Sequence, residues 1–493
     1  MSGSDRQYKN EKKLLGMKKT ITLCLLVVLS GYVSAQSVFT LDSCRNMAIR
    51  NNKQLQMAKE RVTAAEYNKK AAVTNYLPSI DFTGAYLYNQ KNVSLLSEGQ
   101  FLPVGTKDAN GGFTLRPDQL LIGEDGRPVM VNGQYVPKDW AYIPKEAFEF
   151  DIRNTFVGAV SVTQPIFMGG KIRAYNQITK FAEQLAESQQ NTAIKDLIFQ
   201  LDETYWQVVS LVSKKKLAEK YVELLRNLNQ NVQSMIQEGV ATQSDGLSVA
   251  VKLNEAEVTL VKVDNGLALS KMLLAQMCGL PIDLSYVLAD ENSGPQTIPT
   301  TVMVDMDQVY ANRSELHSLQ FATKIYEKKQ QVVASGMLPQ VALTGSYLFS
   351  NPSSFNGFQN RFDGMFNVGV MVKIPLLHWG ENIYKLKSSK AETRIARLEL
   401  AEAKEKIELQ VNQAAFKVKE AARKMEMTEK NMAKAEENLR SAQLGFEEGV
   451  LTTTNVLEAQ TAWVEAESEK IDARIDMRLC EVYLSKALGT FEK

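Results

Sequence analysis

Histidine is the side chain most often placed to move a proton or bind a metal near neutral pH. This 493-residue chain has two, His317 near a helix start and His378 at a strand end. No glycine-rich phosphate loop followed by Lys-Ser or Lys-Thr occurs. No cysteine or serine stands with a histidine in a catalytic context. Met425, Met427 and Met432 raise the idea of thioether copper binding. Two of them fall in or at an apolar helical stripe, where packing is the simpler role. These residues predict no enzyme, no metal site and no cofactor. Fifty-seven basic residues against 56 acidic ones also exclude the basic excess of a nucleic-acid binder.

Two turn motifs hold more information. One is Glu238-Gly239-Val240-Ala241-Thr242-Gln243-Ser244-Asp245. The other is Glu448-Gly449-Val450-Leu451-Thr452-Thr453-Thr454-Asn455, continuing Val456-Leu457-Glu458-Ala459-Gln460. Gly239 and Gly449 suit the left-handed residue that ends a helix. Ser244, Asp245 and Asn455 can cap the next helix. Taken alone, these are good turn residues.

The motifs lie 210 residues apart, and so do Pro165 and Pro375, and Gly279 and Gly489. Earlier in the chain, Leu77-Pro78 through Tyr86 resembles Leu338-Pro339 through Tyr347 at an offset of 261. The chain is therefore written twice. The first copy carries about 51 extra residues, roughly 89–149, with five prolines and seven glycines, which read as an irregular inserted loop.

Each copy has the same plan. A helix comes first (41–75 and 305–336), then two strands, a very long helix, a short break and another helix. Residues 171–238 lack both proline and glycine, and no proline follows Pro375. Small or apolar residues recur at spacings of four and three from Ile407 through Val411, Ala414 and Val418 to Leu439, Ala442 and Phe446, a heptad seam. Thr428 is the only hydroxyl in it. The first copy runs from Ile194 to Ile236, interrupted by Thr204, Lys215 and Asn229. A 68-residue helix would span about 100 Å, too long for one globular core, so these helices should pack as coiled coils, including against other copies.

The strand segments alternate. Ile80, Phe82, Gly84, Tyr86 and Tyr88 share one face. Phe150, Ile152, Phe156, Val160 and Val162 form the next, then Val341, Leu343, Gly345, Tyr347 and Phe349, then Phe366, Val368, Val370, Val372 and Ile374. Period-two strands of about ten residues with aromatic ends read as transmembrane β-barrel strands, though one soluble hairpin would look the same. Four strands cannot close a roomy barrel. An open sheet would leave backbone unpaired in lipid, so if these strands cross a membrane several chains must share one barrel. Pro78 and Pro339 should begin strands; Pro165 and Pro375 should end them.

Met17-Lys18-Lys19, the apolar segment Ile21–Leu29 and Val33-Ser34-Ala35 make a secretory signal, with cleavage expected after Ala35 and no lipid anchor. Residues 1–16 read as an upstream extension. Cys44, Cys278 and Cys480 then remain, which is not a disulfide framework. Lone packing thiols are the simpler reading, and a Cys278–Cys480 pairing stays open.

From Phe39 to Gly489 this order of elements, with its paired turn motifs, resembles the TolC family of outer-membrane efflux and secretion channels. The resemblance implies a mixed α and β fold of two tandem repeats, 36–304 and 305–493. It implies a homotrimer in the outer-membrane lipid, with four strands per chain closing a 12-stranded β-barrel and the helices forming a tapering periplasmic α-barrel. It implies that Gly239, Val240, Ala241, Thr242, Ser244 and Asp245, with Gly449, Val450, Leu451, Thr452 and Thr454, dock a periplasmic adaptor (membrane fusion) protein. That adaptor joins an inner-membrane transporter of RND or ABC type. Asn455 and Glu458 match the family's acidic entrance rings, of which only Glu458 keeps the charge. The 89–149 loop would lie outside the cell. The chain would then passively conduct small molecules or polypeptides outward. The alternative is a periplasmic coiled-coil adaptor or scaffold without a barrel.

Overall fold

A computed structural model describes residues 38–282, 286–292 and 304–491. The signal segment, 1–35, lies outside the described residues. Two compact units divide the chain. Among the described residues, one contains those of 38–66, 181–324 and 394–491; the other contains Tyr67–Lys180 and Ile325–Thr393.

Eight α-helices are described: α1 (Leu41–Asn51), α2 (Lys53–Thr74), α3 (Lys171–Gln237), α4 (Gln243–Cys278), α5 (Met306–Asn312), α6 (Ser314–Ser335), α7 (Glu381–Glu447) and α8 (Thr453–Leu488). The repeat is kept to the residue. α3 and α7 each have 67 residues, and α4 and α8 each have 36. Among the described residues no helix is long and apolar enough to cross a membrane.

The first unit is built on the heptad seams. Ile407, Val411, Ala414, Val418, Ala421, Met432, Leu439, Ala442 and Phe446 are all buried, as is Thr428. On α3 the buried set is wider than one seam, adding Tyr205, Trp206, Val209 and Val212. The reason is that α3 has two partners. Arg226 pairs with Glu257 of α4 at 2.7 Å, while Lys214 pairs with Asp472 of α8 at 2.7 Å. α7 is held to α8 by Lys424 and Asp476, also at 2.7 Å.

The expected single helices at the start of each copy are each broken in two. Asn52 leaves the helical conformation, and its side chain accepts from the N–H of Gln54 at 2.8 Å, capping α2. Arg313 breaks the second pair. Its guanidinium reaches the carbonyls of Lys486 and Ala487 at 2.9 and 3.1 Å and satisfies the C-terminal end of α8. On α1, Arg45 forks onto the fully buried Asp202 of α3, with Nε to Oδ1 at 2.9 Å. Burial pushes the Asp202 carboxyl up and the Arg45 guanidinium opposes that.

The second unit holds one four-stranded antiparallel sheet: β1 (Ser79–Tyr88), β2 (Asn154–Met168), β3 (Gln340–Asn351) and β4 (Asp363–Lys373), in the order β4-β3-β2-β1. The second strand corrects the sequence reading at both ends. It starts at Asn154, and Phe150 belongs to a separate two-residue strand. It also runs past Pro165 to Met168. Pro165 is tolerated because β1 pairing ends at Thr163 and a register shift follows between Pro165 and Phe167.

The inserted segment is more regular than expected. Gln100–Pro103 pairs with Trp140–Ile143, Thr106–Lys107 with Phe113–Thr114, and Met130–Val131 with Gln134–Tyr135. Aromatic cross-strand pairs such as Phe101 and Tyr142, with ring centroids 4.9 Å apart, support these short ribbons.

Candidate functional site

The sheet places the alternating residues in rows. Phe82 stands opposite Val160, Val160 opposite Tyr347, and Tyr347 opposite Phe366. The next row is Ile80, Val162, Gly345 and Val368. All four strands therefore present one apolar face. Phe82 is 68% and Phe366 76% exposed in the single chain. Phe349 lies over Gly158, where a Cβ would meet its ring at 2.3 Å, and stacks on Phe82 with centroids 6.4 Å apart. The row between is polar: Asp81, Ser161, Ser346 and Asn367, with Ser346 Oγ donating to Asn367 Oδ1 at 3.1 Å. Among the described residues, β1 and β4 each pair with one strand, so each leaves an unpaired edge.

At the turns, the two motifs adopt one geometry. Gly239 and Gly449 have φ of 77° and 72°, the left-handed region where a side chain is strained. The N–H groups of Val240 and Ala241 donate to the Met235 carbonyl at 2.9 and 3.2 Å. Those of Val450 and Leu451 donate to the Gly445 carbonyl at 2.8 and 2.9 Å. Helix C-terminal carbonyls are thus satisfied in the same way twice.

The helix caps correct the sequence reading. Thr242 and Thr452 are the N-caps; Ser244 does not cap and is exposed. Asp245 and Asn455 are the reciprocal partners of two capping boxes. The N–H of Thr242 donates to Asp245 Oδ2 at 3.0 Å, and that of Thr452 to Asn455 Oδ1 at 3.0 Å. Thr-x-x-Asp and Thr-x-x-Asn just after a helix-ending glycine were the signal for this. The hydrogen bonds from Thr242 hold the Asp245 carboxyl below its ordinary value.

Around each turn the surface is open. A Cβ at Gly239 or Gly449 would meet nothing within 4 Å, and Val240 and Val450 are 69% and 79% exposed. Thr454, Asn455 and Glu458 are exposed too. The two turns lie at one end of a shared apolar cluster. Ala241 and Ile236 of the first pack with Phe446, Val456 and Leu457 of the second. His317 and His378 are not brought together with any carboxylate or cysteine in a candidate metal cluster among the described residues.

Residues 146–280 and 306–490 match the protein family described as outer membrane efflux protein. No curated protein matches the chain. Solved structures share the fold. The outer membrane protein VceC from Vibrio cholerae is 14% identical with a TM-score of 0.67, covering 91% of this chain and 96% of VceC. The CmeC outer membrane channel of Campylobacter jejuni is 16% identical with a TM-score of 0.67, over 92% of this chain and 86% of CmeC. The MtrE outer membrane channel of Neisseria gonorrhoeae, in its open state, is 14% identical with a TM-score of 0.66, over 91% and 88%.

Proposed function

Because this chain belongs to the outer membrane efflux protein family, we propose that three copies close one 12-stranded barrel and carry solutes out of the cell. The protein is an outer-membrane exit channel reaching into the periplasm. The observation that carries the trimer is the sheet itself. It has four strands, two unpaired edges and one continuous apolar face. In lipid an unpaired edge is too costly to persist, and four strands enclose no lumen. Pairing β1 of each copy with β4 of the next removes every edge and turns the apolar rows outward. The polar row from Asp81 to Asn367 then lines the lumen.

In this reading the two turns are where an adaptor docks. Gly239 through Thr242, with Ser244 and Asp245, and Gly449 through Thr452, with Thr454, form this surface, with open space at Gly239 and Gly449 and with Val240 and Val450 exposed. An adaptor's own helical hairpin fits such a surface by close backbone approach. The adaptor brings an inner-membrane transporter, of RND or ABC type, which supplies the energy. Glu458, repeated three times around the entrance, would favour cations. Asn455 adds no charge beside it. The inserted ribbons, residues 89–149, belong at the extracellular mouth.

Fractionation with an unheated gel tests the assembly. Recovery in the outer membrane as a heat-dissociable trimer is expected; recovery only in the soluble periplasm would sink the proposal. Planar-bilayer recording tests the entrance. In this reading the turns also close the entrance, so a low conductance that rises on substitution near Gly449–Glu458 is expected, and a freely open wild-type pore would contradict that closure.

A further inference from the structure

Cys44 and Cys278 take no part in conducting solutes, yet they meet. Cys44 is on α1, and Cys278 is the last residue of α4, just before Gly279. They are 234 residues apart in sequence, and each is 1% exposed. Cys278 Sγ lies 3.7 Å from the Cys44 carbonyl oxygen. Both thiols are free in the structure; the Cys278 thiol favours the thiolate of Cys44, while Cys44 and burial push the Cys278 thiol up. Asn51 holds the corner from the other side, its Nδ2 donating to the Cys278 carbonyl at 3.1 Å. Cys480 sits in a different apolar cluster, with Val309 and Leu484.

Packing alone does not need sulfur here. The second repeat builds the same corner. Asp305 caps α5 as Thr40 caps α1, and Gly489 ends α8 as Gly279 ends α4. Counted from those caps, Val309 and Leu488 occupy the positions of Cys44 and Cys278, and they belong to one apolar cluster. The first repeat has two thiols where the second has hydrocarbon.

We propose that Cys44 and Cys278 are joined as a disulfide in the mature protein, fastening α1 to the end of α4. The inference rests on the periplasmic placement of these helices, an oxidising compartment in which disulfides persist. The oxidant is a protein disulfide of the thiol–disulfide oxidoreductase class. One cysteine thiolate attacks a sulfur of that disulfide, forming a mixed disulfide and releasing the donor's other sulfur as a thiolate. The second cysteine, as thiolate, attacks the chain's sulfur in the mixed disulfide. The Sγ–Sγ bond forms and the donor leaves as a dithiol, having taken two electrons and the two protons. Both thiols are shielded in the folded chain, so the exchange occurs while α1 is undocked.

Full-length protein from cells with an intact oxidising pathway is fractionated, denatured, alkylated with N-ethylmaleimide without reductant, and mapped by mass spectrometry. The expected result is a linked Cys44–Cys278 peptide pair, with Cys480 alkylated. Prior reduction should leave all three alkylated. Alkylated Cys44 and Cys278 in protein from the outer membrane would overturn the disulfide and leave the channel reading intact. A Cys278–Cys480 link would overturn it as well. Recovery of the protein in the cytosol would sink both proposals. Reductant should lower the melting midpoint of the wild type and leave that of the Cys44→Ala, Cys278→Ala double variant unmoved.

Discussion

Asn455 accepts two hydrogen bonds from Thr452, from its N–H at 3.0 Å and its hydroxyl at 2.7 Å. Asp245 accepts the same two from Thr242, at 3.0 and 2.6 Å. The two turns thus run the same cap with and without a charge.

That difference predicts a pH dependence for one turn only. The folded-state pKa of Asp245 is lowered, so its contribution is present above the unfolded value, about 3.9. It is lost as pH falls through the folded value. Asn455 does not titrate. Relative to intrinsic exchange rates, hydrogen exchange of the first turn of α4 should accelerate on acidification through that window, while that of the first turn of α8 stays unchanged. Equal acceleration in both would contradict the assignment.

Asn455→Asp should keep the α8 cap, because a carboxylate oxygen accepts from Thr452 as the amide oxygen does. It adds an acidic group one helical turn from Glu458. Reversal potentials in asymmetric salt should then shift toward cation selectivity, and Glu458→Gln should shift them the other way. Unchanged potentials for both would place these side chains away from the conduction path.

Gly449→Ala and Gly239→Ala test backbone strain rather than sterics. Neither Cβ meets a neighbour within 4 Å, but the left-handed conformation costs a non-glycine residue about 1–2 kcal/mol. Hairpin stability should fall by about that amount, measured by thermal unfolding. A variant as stable as wild type would mean the turn had rearranged.

Asp202→Ala removes the carboxylate that Arg45 grips from a fully buried position. Breaking a buried pair typically costs about 3–5 kcal/mol. Arg45 keeps partial access to water, its side chain being 29% exposed, so the loss should fall at the lower end of that range. Proteolysis should then begin near α1. Full stability in the variant would show that α1 is held by packing alone.

On the sheet, Phe366→Lys and Asn367→Lys differ by one residue and by face. A lysine on the lipid face of a barrel costs about 2–4 kcal/mol at the bilayer midplane and less near the interface. Phe366→Lys should reduce trimer recovered from the outer membrane, and Asn367→Lys should not. The reverse result would invert the assigned faces.

Much of the architecture was legible because it is periodic. The 210-residue offset reappears in equal helix lengths, and the heptad positions on α7 are buried except Met425 and Ala435, which are half-buried. Strand faces followed from alternation. The helix breaks at Asn52 and Arg313 were not legible, since each depends on where one polar side chain finds its partner. Asn52 caps the chain just ahead, whereas Arg313 reaches carbonyls 173 and 174 residues away. The pairing of Cys278 with Cys44 rather than Cys480 belongs to the same class.

The sequence by itself determined the two repeats and the helical and strand periods. Those are properties of residues that neighbour one another along the backbone, where geometry leaves few choices. The tertiary structure alone decided that β2 of the first repeat pairs with β3 of the second, aligning Phe82, Val160, Tyr347 and Phe366 in one row. It also decided that Cys44 meets Cys278. Such contacts join residues tens to hundreds of positions apart, and packing of the whole chain selects them.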